Sequence, residues 1–148
     1  MSSDGASTST KKLDQEGLNA ILKAHDAYVA GRQGGRRANL IMHDMAGLDL
    51  NDRDLSDVDL TGAKLRGASM QGAKLTNSLL FAADLTMVNL EGATMSRTDL
   101  RGACFRGAIL TDAIMIEADL REGVLARHSN NTNLEVMEIG STPAELTT

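Results

Sequence analysis

The stretch that decides the fold is Val58-Asp59-Leu60-Thr61-Gly62-Ala63-Lys64-Leu65-Arg66-Gly67-Ala68-Ser69-Met70-Gln71-Gly72-Ala73-Lys74-Leu75. A large apolar residue stands at 60, 65, 70 and 75, a small one two places before each, and glycine two places after the first three. Neither regular element has this period: a helix repeats its apolar face every 3.6 residues and a strand every two. The triplet small-x-large is still the alternation of a very short strand. The two remaining residues must then turn the chain, because glycine at a corner tolerates backbone conformations that other residues resist.

Outward from this stretch the period runs without a break from Leu40 to Leu125, 18 positions, with thirteen Leu, four Met and Phe105. In a chain 42% apolar, such a series arises by chance about once in ten million. The period therefore organises the chain. The small position carries Ala at 38, 63, 68, 73, 83, 93, 103, 108, 113 and 118, Ser78, Thr98, Val58 and Val88. The corner carries Gly at 47, 62, 67, 72, 92, 102 and 107, and Asp or Asn at 52, 57, 77 and 112, eleven of the seventeen from 42 to 122.

Composition agrees. The 148 residues include no Trp, one Tyr, two Phe and one Pro, against 14 Gly and 8 Met, so many small and medium side chains must pack in a regular way. The lone Cys104 excludes an internal disulfide framework and any multi-cysteine metal site. No apolar run is long enough to span a bilayer, and residues 1–12 read as a disordered leader without a signal peptide, which makes a cytoplasmic location the expectation. A formal charge of −5 argues against direct nucleic-acid binding.

Ala63-Lys64-Leu65-Arg66-Gly67, Ala83-Asp84-Leu85-Thr86-Met87 and Ala118-Asp119-Leu120-Arg121-Glu122 resemble the A(D/N)LxX unit of the pentapeptide-repeat family, a likeness that covers residues 38 to 126, about 60% of the chain. The resemblance implies an all-β solenoid, a right-handed quadrilateral β-helix of about four and a half coils with four pentads per turn. Residues 20 apart then share a face. Four internal columns follow: Leu40, Leu60, Leu80, Leu100, Leu120; Met45, Leu65, Leu85, Phe105, Leu125; Leu50, Met70, Leu90, Leu110; and Leu55, Leu75, Met95, Met115.

The ends of a solenoid expose apolar surface and unpaired backbone, so caps are expected. Residues 13–35 read as an N-terminal capping α-helix and linker, the helix at 15–30. Asp14 is its N-cap, Leu13 and Leu18 form a staple, and Gly31 is the stop. Leu18, Ile21, Leu22, His25, Tyr28 and Val29 make its apolar stripe. The β-helix itself is placed at 36–126. His43, Leu48 and Arg53 replace the small residue in the first coil, where only a helix above leaves room for them. The tail 127–148 reads as a strand at Leu134–Ile139 covering the last coil, or as the start of a further segment.

No nucleophile motif, phosphate loop or metal spacing is present, so neither a catalytic site nor a cofactor is expected. His25 and His43 read as structural polar groups, His128 as a loop residue and Cys104 as an exposed thiol. Two surface features stand out. Asp44, Asp49, Asp52, Asp54, Asp57 and Asp59 crowd the first coil, and Leu79, Phe81, Ile109, Ile114, Ile116 and Val124 are apolar at outward positions. The acids point to four different faces, which makes a poor imitation of a phosphate ladder. The expected function is a non-catalytic protein-interaction scaffold with an unidentified protein partner, one form of which is a homodimer through the C-terminal coils. The alternative is a DNA-mimicking topoisomerase (gyrase) regulator.

Overall fold

The structure is a computed structural model that describes residues 11–121, 123–128, 134–139 and 145–146, with side chains over 11–121. In chain order the elements are β1 (Lys11–Lys12), α1 (Gln15–Val29), β2 (His43–Asp44), β3 (Cys104–Phe105), β4 (Gly123–His128), β5 (Leu134–Ile139) and β6 (Glu145–Leu146). Most of the solenoid is built from parallel bridges one residue long, each joining a residue to the one 20 further on, from Asn39↔Asp59 to Asp99↔Asp119.

Each pentad makes the same hydrogen bonds. Leu60 donates its N–H to the Leu79 carbonyl at 2.7 Å and Gly62 to that of Phe81 at 2.8 Å, while Leu79 donates back to Val58 at 2.9 Å. Within the pentad, Ala63 N–H reaches the Leu60 carbonyl at 3.0 Å and closes a β-turn over Thr61 and Gly62. Gly62 has φ +66°, as the third residue of a type II turn requires. The same left-handed backbone recurs at all sixteen corner positions from 42 to 117, with Met42, Ala82, Met87, Arg97 and Glu117 holding it without the licence of Gly, Asn or Asp. Inter-coil pairing imposes this corner whatever residue fills it. Ala82→Gly is expected to stabilise the protein by about 0.5–1 kcal/mol, relief of left-handed strain outweighing the added freedom of the unfolded chain. Denaturant melts of the two forms check this.

The core is the axis of the solenoid. Leu40, Met45, Leu50, Leu55, Leu60, Leu65, Met70, Leu75, Leu80, Leu85, Leu90, Met95, Leu100 and Phe105 are fully buried, and the small residues at 38, 63, 68, 73, 83, 93, 103 and 108 pack between them. Ser78 and Thr98 occupy two of those small positions. Both hydroxyls donate to the Leu75 carbonyl, at 2.6 and 2.8 Å, so neither is buried without a partner.

The N-terminal edge is closed by one group per side. β1 pairs in parallel with β2. The Gln15 side-chain amide accepts from Asp49 N–H at 2.8 Å and donates to its carbonyl at 2.9 Å, standing in for a neighbouring strand's peptide group. His25, fully buried, accepts at Nδ1 from Ala38 N–H and lies with Nε2 3.0 Å from the Ser56 carbonyl, which requires the neutral tautomer with the proton on Nε2. Asp26 meets Arg53 at 3.4 Å. The helix begins at Asp14, whose carboxylate accepts from Gly17 N–H at 2.7 Å, and Gly31 follows it with φ +69°.

Several expectations need correction. Lys11 and Lys12, assigned to the leader, form β1; residues 1–10 lie outside the described residues. Helix α1 ends at Val29, and Tyr28 and Val29 are exposed; Leu18, Leu22 and His25 are the buried face, with the Tyr28 ring stacked on that of His25 at 5.6 Å. The largest change concerns the end of the repeat. Residue 125 would stack on Phe105 by count, yet Leu146 does so: β3 pairs in parallel with β6, Cys104 with Glu145 and Phe105 with Leu146. Leu125 lies instead in β4, which pairs antiparallel with β5 in the register Leu125↔Met137. The segment 134–139 thus partners 123–128 rather than a coil.

Candidate interaction surface

Where the outward residue just before the central position is Asp or Asn, it proves to be a structural element. Asp44, Asp49, Asp54 and Asp59 each accept, through Oδ1, from the backbone N–H two residues on, at 3.1, 2.9, 3.0 and 3.1 Å. Asn39, Asp84, Asn89, Asp99 and Asp119 do the same. These are Asx turns, and they explain why the repeat prefers Asp or Asn there: the side chain satisfies the amide that leads into the corner. Asp57 and Asp52 are corner residues with φ +65° and +59°. The acidity of the first coil is thereby tied to turn geometry.

Along one face two of the acids, Asp99 and Asp119, are also paired with arginine. Arg101 grips Asp99 with Nε and one terminal nitrogen at 2.8 and 2.7 Å, comes within 3.9 Å of Asp119, and lies with its guanidinium 5.1 Å from the centre of the Phe81 ring. Arg121 grips Asp119 in the same way at 2.9 and 2.7 Å. The hydrogen bonds from Arg101 hold the Asp99 carboxyl below its usual range, and those from Arg121 lower Asp119 to about 2. Because the folded value is depressed, the small stabilisation is present above the ordinary carboxylate range and is lost as pH falls through about 2. An NMR titration should place the Asp119 midpoint near 2, and Arg121→Gln should return it towards 3.8.

The outward apolar residues fall into two groups. Leu79 is 38% exposed, while Phe81 is half-covered beneath Arg101. On the last coil Ile109, Ile114 and Ile116 are exposed, Ile116 to 65%. Beside them Leu110, Ala113, Met115, Ala118 and Leu120 are only partly buried, so the final members of the internal columns are open where the earlier ones are closed. Val124 lies in β4, its side chain outside the described residues. Composition alone does not separate these groups; distance from the end of the repeat does.

The remaining candidates have local roles. Cys104 is half-buried rather than exposed, with Sγ 3.5 Å from the Thr86 hydroxyl. His43 has Nδ1 2.9 Å from the Ile41 carbonyl. The side chain of His128 lies outside the described residues. Among the described residues no cluster of His, Cys, Asp or Glu could hold a metal ion, and no helix is long and apolar enough to cross a membrane. A shallow open groove runs between Lys12–Gln15 and Ala46–Leu48.

A parallel coil of 20 residues, closed by four turns of one kind and filled by Leu and Ala, defines a pentad-based β-solenoid. The profile of the pentapeptide-repeat family, pentapeptide repeats, matches residues 44–80 and 78–112 in eight copies. Among curated proteins no sequence matches. Among solved structures it is similar to HetL, a pentapeptide repeat protein involved in heterocyst differentiation regulation from the cyanobacterium Nostoc sp. strain PCC 7120, at 31% identity and TM-score 0.42. That match covers 63% of this chain and 43% of HetL, so the chain spans less than half of that relative. A pentapeptide repeat protein of the Arabidopsis thaliana thylakoid lumen matches at 26% identity, 61% and 70% coverage and TM-score 0.43. A trypsin-treated variant of QnrB1, a plasmid-mediated fluoroquinolone resistance protein, matches at 18% identity, 75% and 51% coverage and TM-score 0.41. No catalytic family is indicated.

Proposed function

We propose that the protein is a non-catalytic interaction scaffold: a right-handed four-sided β-helix of about four and a half coils, capped by α1, that presents its last coil to a protein partner. The observation that carries this reading is the apolar rim of Ile109, Ile114 and Ile116 above partly open core positions. Exposed apolar clusters of this kind mark contact surfaces. A second copy of the chain is the simplest partner. Sedimentation equilibrium of the wild type and of Ile114→Asp/Ile116→Asp tests that form: a dimer lost in the variant supports it, and a monomer in both excludes it. Among the described residues the axis is filled by Leu, Met and Ala, and the concavity at Lys12–Gln15 is shallow and open, which supports a non-catalytic reading.

The topoisomerase-regulator reading has less support. Its acids before the central Leu are held in Asx turns, and Asp99 and Asp119 are paired with Arg101 and Arg121. A gyrase supercoiling assay with added protein separates the two readings. The scaffold predicts no inhibition and no protection.

A further inference from the structure

The pairing of β6 with β3 joins the centre of one repeat to Leu146 and its outward neighbour to Glu145. The residues around β6 read Ala144-Glu145-Leu146-Thr147-Thr148. That is small, acidic, Leu and two corner residues, the same order as Ala83-Asp84-Leu85-Thr86-Met87. Between the two stands a hairpin, β4 with β5, in the place where the next pentad is due. From the start of that missing pentad at Gly123 to Ala144 the chain is displaced by 21 residues, one more than a full coil. The phase of five is therefore broken, and a search in steps of five from Leu40 passes over Leu146.

We propose that Glu145–Leu146 is the centre of a further pentapeptide repeat, paired on Cys104–Phe105, and that β4 and β5 belong to an insertion between two repeats of one solenoid. Two pentads compete in principle for this seat, Gly123-Val124-Leu125-Ala126-Arg127 by count and Ala144–Thr148 by register. The second fits better. It has Ala at the small position, the residue that elsewhere packs the wall, and a polar residue before the Leu. The first has Gly and Val there. An inserted arm costs little, since loop-closure entropy grows slowly with length. The proposal concerns architecture and stands whether or not the last coil binds a partner.

The single native cysteine supplies the test. Neighbouring parallel strands lie about 4.8 Å apart, within the Cα separations of about 4.4–6.8 Å that a disulfide spans. Three variants, Asp84→Cys, Glu145→Cys and Val124→Cys, each add one thiol to the native Cys104, and mild oxidation followed by peptide mapping reads the cross-link. Asp84 bridges Cys104 directly and is the positive control. Asp84→Cys and Glu145→Cys are expected to close at similar rates, and Val124→Cys at least tenfold more slowly. Closure of Val124→Cys, alone or alongside Glu145→Cys, overturns the assignment, as does failure of Glu145→Cys or of the control. A second measurement uses deletion of 123–143, which joins Glu122 to Ala144 in perfect pentad phase. The deleted protein is expected to keep its melting temperature and its Glu145→Cys cross-link. Loss of either contradicts the arm.

Discussion

Leu80→Ala is expected to destabilise the protein by about 2–5 kcal/mol, whereas Leu79→Ala costs less than about 1 kcal/mol. The two leucines are adjacent and chemically identical. Leu80 is fully buried in the column between Leu60 and Leu100, where the cavity left by truncation cannot collapse because the coils above and below are held by the backbone ladder. Leu79 stands outward, 38% exposed, and its replacement removes little surface from contact. Chemical denaturation of both variants reads the contrast. Equal losses would mean that the alternation in and out of the wall is wrong.

The second large effect lies at the join of helix and solenoid. Gly35 has no left-handed backbone to defend, yet a Cβ there would stand 2.6 Å from the Ala27 carbonyl carbon and nearer still to the backbone of Tyr28. Backbone cannot rotate away as a side chain can. Gly35→Ala must therefore push the end of α1 off the first coil, and about 3 kcal/mol of destabilisation is expected. The His25 contacts to Ala38 and Ser56 would be strained with it. Its neighbour Gly34, at φ +85° with open space around its Cα, should lose about 1–2 kcal/mol on the same change, from backbone strain alone. A ranking of Gly34→Ala as the worse of the two would show that the helix does not sit where the structure has it.

The reading of the fold from sequence rested on a single regularity, and its reach can be followed residue by residue. Leu60, Leu65, Met70 and Leu75 declared the period because a pentad cannot bury its Leu unless every fifth residue does the same. The corners were visible where they are Gly, Asp or Asn. At Ala82, Met87 and Arg97 they were invisible, because there the ladder, not the residue, forces the left-handed backbone. Tyr28 and Val29 fit a helical stripe by spacing but lie past the turn of α1 that covers the coil. Helical periodicity says which side is apolar and not where its cover ends.

The outward surface was harder to read. An Asp at the position before each Leu looks like free charge in a sequence, and only the distance from Oδ1 to the amide two residues on shows it occupied. Arg101 and Phe81 are 20 apart and meet because one coil separates them. Once the four-pentad turn is accepted, such a contact could have been anticipated. The pairing of Leu146 with Phe105 could not be seen in steps of five from Leu40, since position 146 falls out of that phase.

The central claim is that Leu, Met and Phe at every fifth position stack into internal columns 20 residues apart. Methyl-to-methyl NOE spectroscopy on protein labelled at Leu, Met and Ala tests it directly. The account predicts cross-peaks that run Leu60–Leu80–Leu100 and Leu65–Leu85, with none linking Leu79 to either column along the axis. Cross-peaks at spacings of three and four residues within 58–100, with no contact between residues 20 apart, would contradict it.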